Sequence, residues 1–569
     1  MAEFEERADQ LSLQTIDRTL ADGEIFKRAR KKLLAHGAKL LVGPRGTGKT
    51  HVMRYTYSYA MNDPEAPLAL YASFNRYLNL EPLLRSEPDA LKRFHSWVLA
   101  KLLLSCFDLL KDKGLPPSKL ANFGPQYDPS KLAELVSLLE RGSGKELYES
   151  FGQNLTISHV IVAVETLCGL FNRKRAILLL DDAALSLADQ YLIAFFETYR
   201  LLKTETISPK ASVYPGSTQY GPTFHISHET EEVPLWLSVE DPDYLEIMGD
   251  IAQRHMSQEE LTSINSDALN LFKYVAFGVP RAYLRLIREY FDSSASSSQS
   301  RINKIVERQT ELLGAEYDSL GLKLKQFSSL VSTGRKFFDK AVATIVDAQS
   351  ADSADSSENP SGTRNIILGL RQDANRAPLV ERMLRFLVEV GMLYSLSAVS
   401  HGHNRKYDRY IPNLAFLQHR GVFREGRGAS LRDISVYMQR SPAKHPIRRD
   451  ISTLLTPDEL ASLKLDLPPC KVCGTARINE SQRFCHHCGS ELVASSLFEE
   501  CMKLPLEKVP GISAAMIARI LKDTKVRTIG DVYSSQDASG DLQEAYYVGP
   551  VRAGGIVAKV ALTVTEFLS

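Results

Sequence analysis

Apolar residues in the first 230 positions recur with two periods, and the two kinds of segment alternate. Short runs that are apolar at nearly every position, such as residues 39–42 and 176–180, have the pattern of buried parallel strands. The segments between such runs carry apolar residues at helical spacing. Alternating strands and helices are typical of an α/β layer fold, so the sequence predicts a parallel sheet covered by helices. Residues 245–290 then continue as helices.

Helical spacing also covers residues 301–350 and 379–391. The serine-rich segments 292–300 and 351–363 separate these helical regions and predict flexible loops or linkers.

A hairpin is predicted next, with strands at 392–399 and 406–411 around a turn at 400–404. Helices that end in a two-stranded wing describe a winged helix. Residues 426–466 are basic and punctuated by proline, which predicts a linker with short elements.

Length and composition describe a multidomain globular protein. A chain of 569 residues is too long for one core and predicts roughly three to five domains. It is 44% hydrophobic and 24% charged, and its net charge is only +1. No apolar run is long enough to span a bilayer, and the acidic N-terminus lacks the apolar core of a secretory signal. We therefore expect a cytoplasmic protein with no membrane partner.

The strongest motif follows the first predicted strand. Residues 43–50 read Gly-Pro-Arg-Gly-Thr-Gly-Lys-Thr and lead directly into a helical segment. In such a phosphate loop, glycines let successive backbone amides point at phosphate oxygens beside the positive end of the next helix. Lys49 should reach the β- and γ-phosphates of ATP, and Thr50 should hold Mg²⁺. The predicted nucleotide-binding residues of the loop are Gly43, Pro44, Arg45, Gly46, Thr47, Gly48, Lys49 and Thr50.

Two aspartates follow the buried strand at residues 176–180. They stand at the carboxyl end of a strand, where parallel sheets bind ligands. Asp181 is predicted to bind Mg²⁺, mostly through water, and Asp182 to orient the attacking water. Lys49, Asp181 and Asp182 are thus the predicted catalytic residues of an ATPase.

Two later segments add to these motifs. Residues 211–218 read Ala-Ser-Val-Tyr-Pro-Gly-Ser-Thr, and residues 277–281 read Phe-Gly-Val-Pro-Arg at the start of a helix. With the phosphate loop and the aspartates, they resemble AAA+ ATPases, most closely the origin-recognition, initiator-like branch, over most of the first three quarters of the chain. The resemblance implies a base domain, a helical lid and a winged helix that binds double-stranded DNA.

The same resemblance implies roles for individual residues. Ser217 or Thr218 would read the γ-phosphate as sensor 1, and Arg281 would contact the phosphates as sensor 2. ATP would lie between base and lid, and a neighbouring subunit would complete the site, which implies a homo-oligomer. Arg200 and Arg254 are the candidates for the arginine that such a neighbour inserts.

The chain departs from the AAA+ pattern at Asp182, where most members carry glutamate. The shorter side chain holds water less well, so hydrolysis is expected to be slow or dependent on a partner. A hydrophobic strand that ends in Asp-Asp, combined with Gly-x-Pro, also resembles the STAND class of signalling NTPases. The alternative function is therefore a STAND-like switch that oligomerises and recruits a protein without binding DNA. A regulatory ATPase of a mobile-element or antiviral defence system, acting with an effector protein, is a third possibility.

Four of the seven cysteines form two Cys-x₂-Cys pairs: Cys470 with Cys473, and Cys485 with Cys488. In a reducing compartment this spacing predicts a metal rather than disulfides. Four thiolates complete a tetrahedral Zn²⁺ site with no open position, so the site is expected to be structural, a zinc ribbon. Such ribbons bind nucleic acid or protein, and the spacing does not separate the two.

The C-terminal region contains two segments that resemble helix-hairpin-helix motifs, at residues 506–520 and 547–556. In this motif a glycine exposes backbone amides at a helix start, where they hold a DNA phosphate. Many such domains instead bind protein, so both alternatives stay open. The predicted contacts are Gly511, Ser513, Arg519, Gly549 and Arg552.

Basic residues concentrate between residues 401 and 449, with eleven Lys and Arg against three acidic residues. On a wing they would lie along the DNA backbone and release counterions. A solvated surface loop is the alternative. Arg405, Lys406 and Arg409 are the predicted contacts.

These patterns divide the chain into six predicted parts. They are an ATPase base domain (1–230), a helical lid (231–300), a winged-helix-like domain (301–425), a basic linker (426–466), a zinc ribbon (467–492) and a helix-hairpin-helix-like domain (500–569).

Overall fold

The computed structural model describes residues 8–9, 11–74, 80, 83, 87, 89–183, 189–218, 220–221, 224–293, 297–354, 363–372, 377–401, 405–424, 430–467, 469–470, 472–477, 482, 484–490, 492, 501–533, 535 and 537–568. In these residues, no helix is both long enough and apolar enough to cross a membrane.

A five-stranded parallel sheet organises the first part of the molecule. Its strands are β1 (Lys39–Val42), β2 (Leu68–Ser73), β3 (Ala176–Asp181), β4 (Ile207–Val213) and β5 (Glu231–Pro234). They lie in the order β2-β3-β4-β1-β5. Alternate residues of β1 and β3 belong to two apolar cores, one on each face of the sheet. The predicted parallel α/β sheet is confirmed.

Helices precede, connect and follow these strands. They are α1 (Leu13–Thr19), α2 (Glu24–Leu34), α3 (Lys49–Asn62), α4 (Ala90–Asp112), α5 (Ser118–Ala121), α6 (Pro129–Leu139), α7 (Lys145–Ser150), α8 (Ile157–Leu170), α9 (Asp189–Leu201) and α10 (Ile226–Glu229). Helices α4 to α8 all lie between β2 and β3. The Asp128 carboxylate caps α6 by accepting from two backbone amides of its first turn, and Phe94 of α4 stacks on Tyr191 of α9 at 4.3 Å. This helical group therefore shares one core with the sheet.

Four helices follow in the region predicted as the lid. They are α11 (Tyr244–His255), α12 (Gln258–Thr262), α13 (Ser266–Val275) and α14 (Pro280–Asp292). The turn before α14 packs against the chain that leaves β5. Trp236 Nε1 donates a hydrogen bond to Phe277 O at 2.8 Å, and Gly278 N donates to Tyr244 Oη at 2.9 Å. This turn thus joins the four helices to the chain that leaves the sheet at β5.

A second sheet lies in the following region. Its strands are β6 (Leu368–Arg371), β7 (Leu393–Ser400), β8 (Lys406–Pro412) and β9 (Ile447–Arg449), in the order β7-β8-β6-β9. Strand β8 runs antiparallel to β6 and β7, and β9 runs parallel to β6. The predicted hairpin is confirmed as β7–β8. Residues 402–404 of its turn lie outside the described residues.

The helices around this sheet begin and end close to the predicted loops. They are α15 (Ser298–Lys323), α16 (Ser328–Ala354), α17 (Pro378–Glu389), α18 (Leu414–His419), α19 (Asp433–Gln439), α20 (Ile451–Leu454) and α21 (Pro457–Ala461). Helix α16 extends into the segment 351–363 that was predicted as a loop. Residues 294–296 and 355–362 of the two predicted loops are outside the described part of the chain.

The basic segment predicted as a linker, residues 426–466, is folded from residue 430 onward. Tyr437 and Leu454 are buried, and β9 pairs with β6, which precedes it by about 80 residues. Asp466 accepts hydrogen bonds from Ser328 and Ser329 at the start of α16. This segment therefore belongs to the body around the second sheet. Its packing was not evident from local sequence because its partners are distant along the chain.

The C-terminal residues form a small helical unit. Its helices are α22 (Ala514–Asp523), α23 (Ile529–Tyr533), α24 (Ala538–Gln543) and α25 (Pro550–Leu568). Leu506, Ile529 and Val564 lie in its core. Lys559 Nζ donates to Gly511 O at 2.5 Å, which joins the first hairpin-like segment to α25. The multidomain α/β class is confirmed, whereas the boundaries of the six parts stay predictions.

The turn before α14 generates a stability prediction. Gly278 has φ +73°, and a Cβ there would collide with Leu237 O, whereas Gly114 has φ +66° and open space around the Cβ position. We expect Gly114→Ala to cost about 1 kcal/mol of unfolding free energy from backbone strain alone. Gly278→Ala should cost about 2–5 kcal/mol, since steric overlap adds to the strain. Thermal and urea unfolding measure both, and equal losses would contradict the steric account.

Candidate nucleotide-binding site and metal centre

The phosphate loop has the predicted strand–loop–helix arrangement. Strand β1 ends at Val42 and α3 begins at Lys49, so residues 43–48 connect the sheet directly to a helix N-terminus. Gly48 has a left-handed conformation immediately before α3, and Thr47 Oγ1 donates to Pro44 O at 3.0 Å. The loop therefore has a folded, internally bonded shape beside the helix dipole.

Lys49 is buried in the loop. Its Nζ donates to Gly43 O at 2.6 Å and to Pro44 O at 2.8 Å, and it lies 4.2 Å from the ring centroid of Tyr214. Burial lowers the pKa of Lys49 well below its usual range, although the nearby Asp182 and Asp181 charges oppose that shift. A buried ammonium group beside carbonyl oxygens and a ring face is well placed to meet an anion.

Asp181 ends β3 and is completely buried. Its Oδ2 accepts a hydrogen bond from Tyr71 Oη at 2.8 Å, and its Oδ1 accepts one from Ser212 Oγ at 2.9 Å. The neighbouring strands β2 and β4 thus each supply one donor. A carboxylate has about four acceptor positions, so two hydrogen bonds leave capacity for a cation or water.

Asp182 follows in a left-handed conformation with φ 53°, which non-glycine residues seldom adopt. Its backbone amide donates to Ser212 Oγ at 2.8 Å. Burial, followed by repulsion from Asp181, raises the pKa of Asp182. Ser212 therefore holds both aspartates, a role that the sequence analysis missed. The signal available was a serine next to the last residue of a buried strand.

The turn after β4 contains the sensor-1 candidates. Thr218 Oγ1 donates to Tyr214 O at 2.8 Å, within the turn itself. Ser217 instead bonds to Glu389 at the end of α17, through its backbone amide at 2.5 Å and its hydroxyl at 2.7 Å. Glu389 is the second residue that the sequence analysis missed, because its partner precedes it by more than 170 residues.

The sensor-2 candidate lies next to the phosphate loop. Arg281 N donates to Gly46 O at 3.4 Å, and a Cβ added to Gly46 would lie 3.0 Å from both Arg281 Cβ and Val279 Cγ1. The Arg281 side chain is exposed and has no hydrogen-bond partner among the described residues. The start of α14 therefore contacts the phosphate loop directly through the backbone of Arg281.

The four clustered cysteines come together as the spacing predicts. Their sulfur atoms all lie within 4.8 Å of one another, with 3.6 Å between Cys470 and Cys488 and 3.5 Å between Cys473 and Cys485. Sulfurs at ~2.3 Å from a tetrahedral zinc ion are about 3.8 Å apart, so the donor set fits Zn²⁺. The Ser490 hydroxyl, as the main cause, lowers the pKa of the Cys470 thiol and favours the thiolate form.

No family model matches the sequence, and no curated protein matches it. A solved structure of the Orc1 protein of Aeropyrum pernix in complex with DNA is similar at 13% sequence identity and a TM-score of 0.25. The match covers 69% of this chain and 90% of that chain. A likeness this distant assigns no role to a residue, so function has to follow from the contacts of this chain.

The wing candidates lie on and beside the second sheet. Arg405 and Lys406 are exposed at the start of β8. Arg409 of β8 and Arg448 of β9 both pair with Gly369 of β6, so they flank it in one row across the sheet. Residues in such a row share a face. Arg448 is a candidate that sequence reasoning missed, because β9 was not predicted.

The candidates of the C-terminal unit form two surfaces. Ser513 precedes α22, and Gly511 is in contact with Lys559 of α25. At the second segment, Gly549 has open space around it. Arg552 donates to Tyr547 O at 2.8 Å, and the Arg519 guanidinium lies 5.6 Å from the Tyr547 ring centroid. Arginine, an exposed aromatic ring and a helix start thus occur together there.

The cysteine geometry predicts one structural zinc ion per chain. Purified protein should contain one equivalent of zinc by mass spectrometry, and Cys470→Ser should lose it because three sulfurs bind far more weakly than four. Cys168→Ser, a matched change at a buried cysteine of α8, should retain the metal. Zinc retained by Cys470→Ser, or lost equally in both variants, would contradict this assignment.

Proposed function

We propose that the chain is an AAA+-type ATPase that binds and hydrolyses ATP and grips DNA in a nucleotide-dependent way. The observation that carries the proposal is the convergence of three elements at one edge of a parallel sheet. Lys49 follows β1, Asp181 and Asp182 follow β3, and Tyr214 follows β4 beside the lysine. This edge is where α/β sheets bind ligands.

The roles of the residues follow from their chemistry. The amides of residues 43–48 and the ammonium of Lys49 would hold the phosphates of ATP. Thr50 and Asp181 offer the oxygen ligands that Mg²⁺ prefers, and the ion would neutralise charge on the phosphates. Arg281, exposed at the loop, would contact the phosphates from the lid.

Asp182 is the candidate that orients and deprotonates the attacking water. Its carboxyl is partly buried beside Asp181, and a raised pKa makes it a better proton acceptor than an ordinary aspartate. Because its side chain is one methylene shorter than glutamate, we propose slow turnover that a bound partner accelerates.

DNA binding is supported by the charged face of the second sheet. Arg409 and Arg448 share one row, and Lys406 is exposed at the start of the same hairpin strand. Basic side chains on this face would contact DNA phosphates, and such contacts do not read sequence. The surfaces at Gly511, Ser513 and Gly549 would add phosphate contacts.

The STAND-like switch remains the second candidate, and one observation favours it. Tyr546 and Tyr547 are exposed with their rings 4.5 Å apart, and Val551, four residues further along the chain, is 90% exposed. An apolar surface of this kind is typical of a protein-binding site. In that case nucleotide would drive oligomerisation and this surface would recruit an effector protein. Arg200 is exposed on α9, whereas Arg254 is bonded to Asp250, so a neighbouring subunit would more readily receive Arg200.

The nucleotide site generates a direct test. We expect Lys49→Ala to weaken ATP binding about 10- to 100-fold, the loss of a charge-assisted contact, and to abolish hydrolysis. Asp181→Asn should abolish magnesium-dependent hydrolysis with a smaller loss of binding. Isothermal titration and phosphate release measure the two effects. Lys31→Ala, an exposed lysine of α2, is the control, and wild-type protein that takes up no ATP would rule out the ATPase.

The charged sheet face generates a second test. Arg409→Ala and Arg448→Ala should each weaken double-stranded DNA binding at all sequences. Each should also reduce the slope of log affinity against log salt by about 1, because each removes one phosphate contact. Fluorescence anisotropy at several salt concentrations measures this, with Lys119→Ala of α5 as the control. Absence of DNA binding in any nucleotide state, together with ATP-driven oligomers in light scattering, would instead support the STAND-like switch.

A further inference from the structure

Glu389 is a buried carboxylate that connects two parts of the molecule. It is the last residue of α17, which packs around the second sheet, yet its bonds are to the turn after β4 of the first sheet. Its Oε2 accepts from Gly216 N at 2.7 Å and from Ser217 N at 2.5 Å, and its Oε1 accepts from Ser217 Oγ at 2.7 Å. Three hydrogen-bond donors of this one turn thus point at the Glu389 carboxylate.

The fit between α17 and the turn is close. A Cβ at Gly216 would lie 2.8 Å from Glu389 Oε2 and 3.0 Å from the Arg385 carbonyl group. Only glycine permits this approach of turn and helix. The contact therefore depends on the shape of both the turn and α17, and it is buried rather than at the surface.

The turn that Glu389 holds is part of the nucleotide site. Tyr214, two residues before Gly216, lies against Lys49 and has the Arg45 guanidinium 5.4 Å from its ring centroid. Burial raises the pKa of Glu389, while the hydrogen bonds from the turn and the Arg45 charge oppose that shift. Two backbone amides and a hydroxyl are also the donors with which proteins bind phosphate oxygens.

Glu389 is linked to the wing hairpin by a short, well-bonded connection. Helix α17 ends at Glu389, and β7 begins four residues later. Within that connection, Asn413 Nδ2 donates to Gly391 O at 2.9 Å and Asn413 N donates to Met392 O at 2.8 Å. A shift of α17 would therefore move the hairpin that carries Lys406 and Arg409.

We propose that Glu389 is an internal competitor of the ATP γ-phosphate. In this account the carboxylate occupies the donors of Gly216 and Ser217 while α17 is docked, and the γ-phosphate takes them when ATP binds. Displacement releases α17 and changes the position of the hairpin on DNA. This inference rests on the proposed ATPase function and names the contact by which nucleotide state reaches the DNA-binding surface.

Comparison of ATP with ADP tests the competition, because ADP lacks the γ-phosphate. Glu389→Gln keeps the size of the side chain and removes its charge, which weakens the contact that ATP must displace. We expect about tenfold tighter binding of a non-hydrolysable ATP analogue and unchanged ADP binding. Glu381→Gln, the same change on the first turn of α17, should alter neither affinity.

Coupling to DNA is the second measurement. Without nucleotide, Glu389→Gln should bind double-stranded DNA as the wild-type protein does with the ATP analogue. If ATP and ADP affinities change equally, or if neither changes, Glu389 is only a structural contact and the proposal is overturned. Wild-type protein that binds neither nucleotide would instead refute the ATPase function itself, so the two failures are distinguishable.

Hydrogen exchange on the unmodified chain keeps the proposal testable if the variant does not fold. The analogue, but not ADP, should speed exchange of the amides over residues 385–392, because release of α17 exposes them. Equal protection of this segment with both nucleotides would overturn the proposal.

Discussion

The interaction on which this architecture depends is the hydrogen bonding of a carboxylate buried within a parallel sheet. Asp181 is removed from solvent, and an unpartnered charge there would cost several kcal/mol. Tyr71 of β2 and Ser212 of β4 supply donors from the strands on either side. The carboxyl ends of three adjacent strands are therefore held in register, and the loops that leave this edge start from fixed positions.

The turn before α14 makes backbone contacts at the same end of the sheet. Gly278 allows its turn to lie against Leu237, and the next turn of chain brings Arg281 N to Gly46 O. A side-chain change at a distance from the phosphates can thus alter the shape of the loop through the backbone. A close-packed contact of this kind transmits small displacements between the turn and the loop.

Local chemistry explains which features could be predicted from sequence. The phosphate loop, the aspartates after β3 and the cysteine pairs each lie within a short segment, where residue type and spacing determine the geometry. The hairpin β7–β8 was predictable for the same reason. Strand β9 was not, because Ile447 and its two arginines read as a strand only when β6 is beside them.

The contact of Glu389 with Ser217 illustrates the same limit in the site itself. A glutamate near the end of an amphipathic helix is typically solvent-exposed, and no local pattern indicates that a turn from another sheet will bury it. The resemblance to sensor 1 predicts a role for Ser217, but it gives no indication that the hydroxyl would bind Glu389. That partner depends on how α17 docks, which is a property of the whole chain.

The location of this contact also bears on the proposed coupling of nucleotide to DNA. Arg409 and Arg448 project from a sheet whose strands are joined by hydrogen bonds, so the charged face moves as one body. A rigid sheet of this kind can respond to nucleotide only if a residue on its surface changes its contacts when the γ-phosphate binds. The Glu389 carboxylate is such a residue. It is a charged group at the end of α17, which packs around the second sheet, and it binds the turn beside Lys49. In the proposed mechanism, electrostatic competition at this one turn couples the two sheets without rearrangement of either sheet.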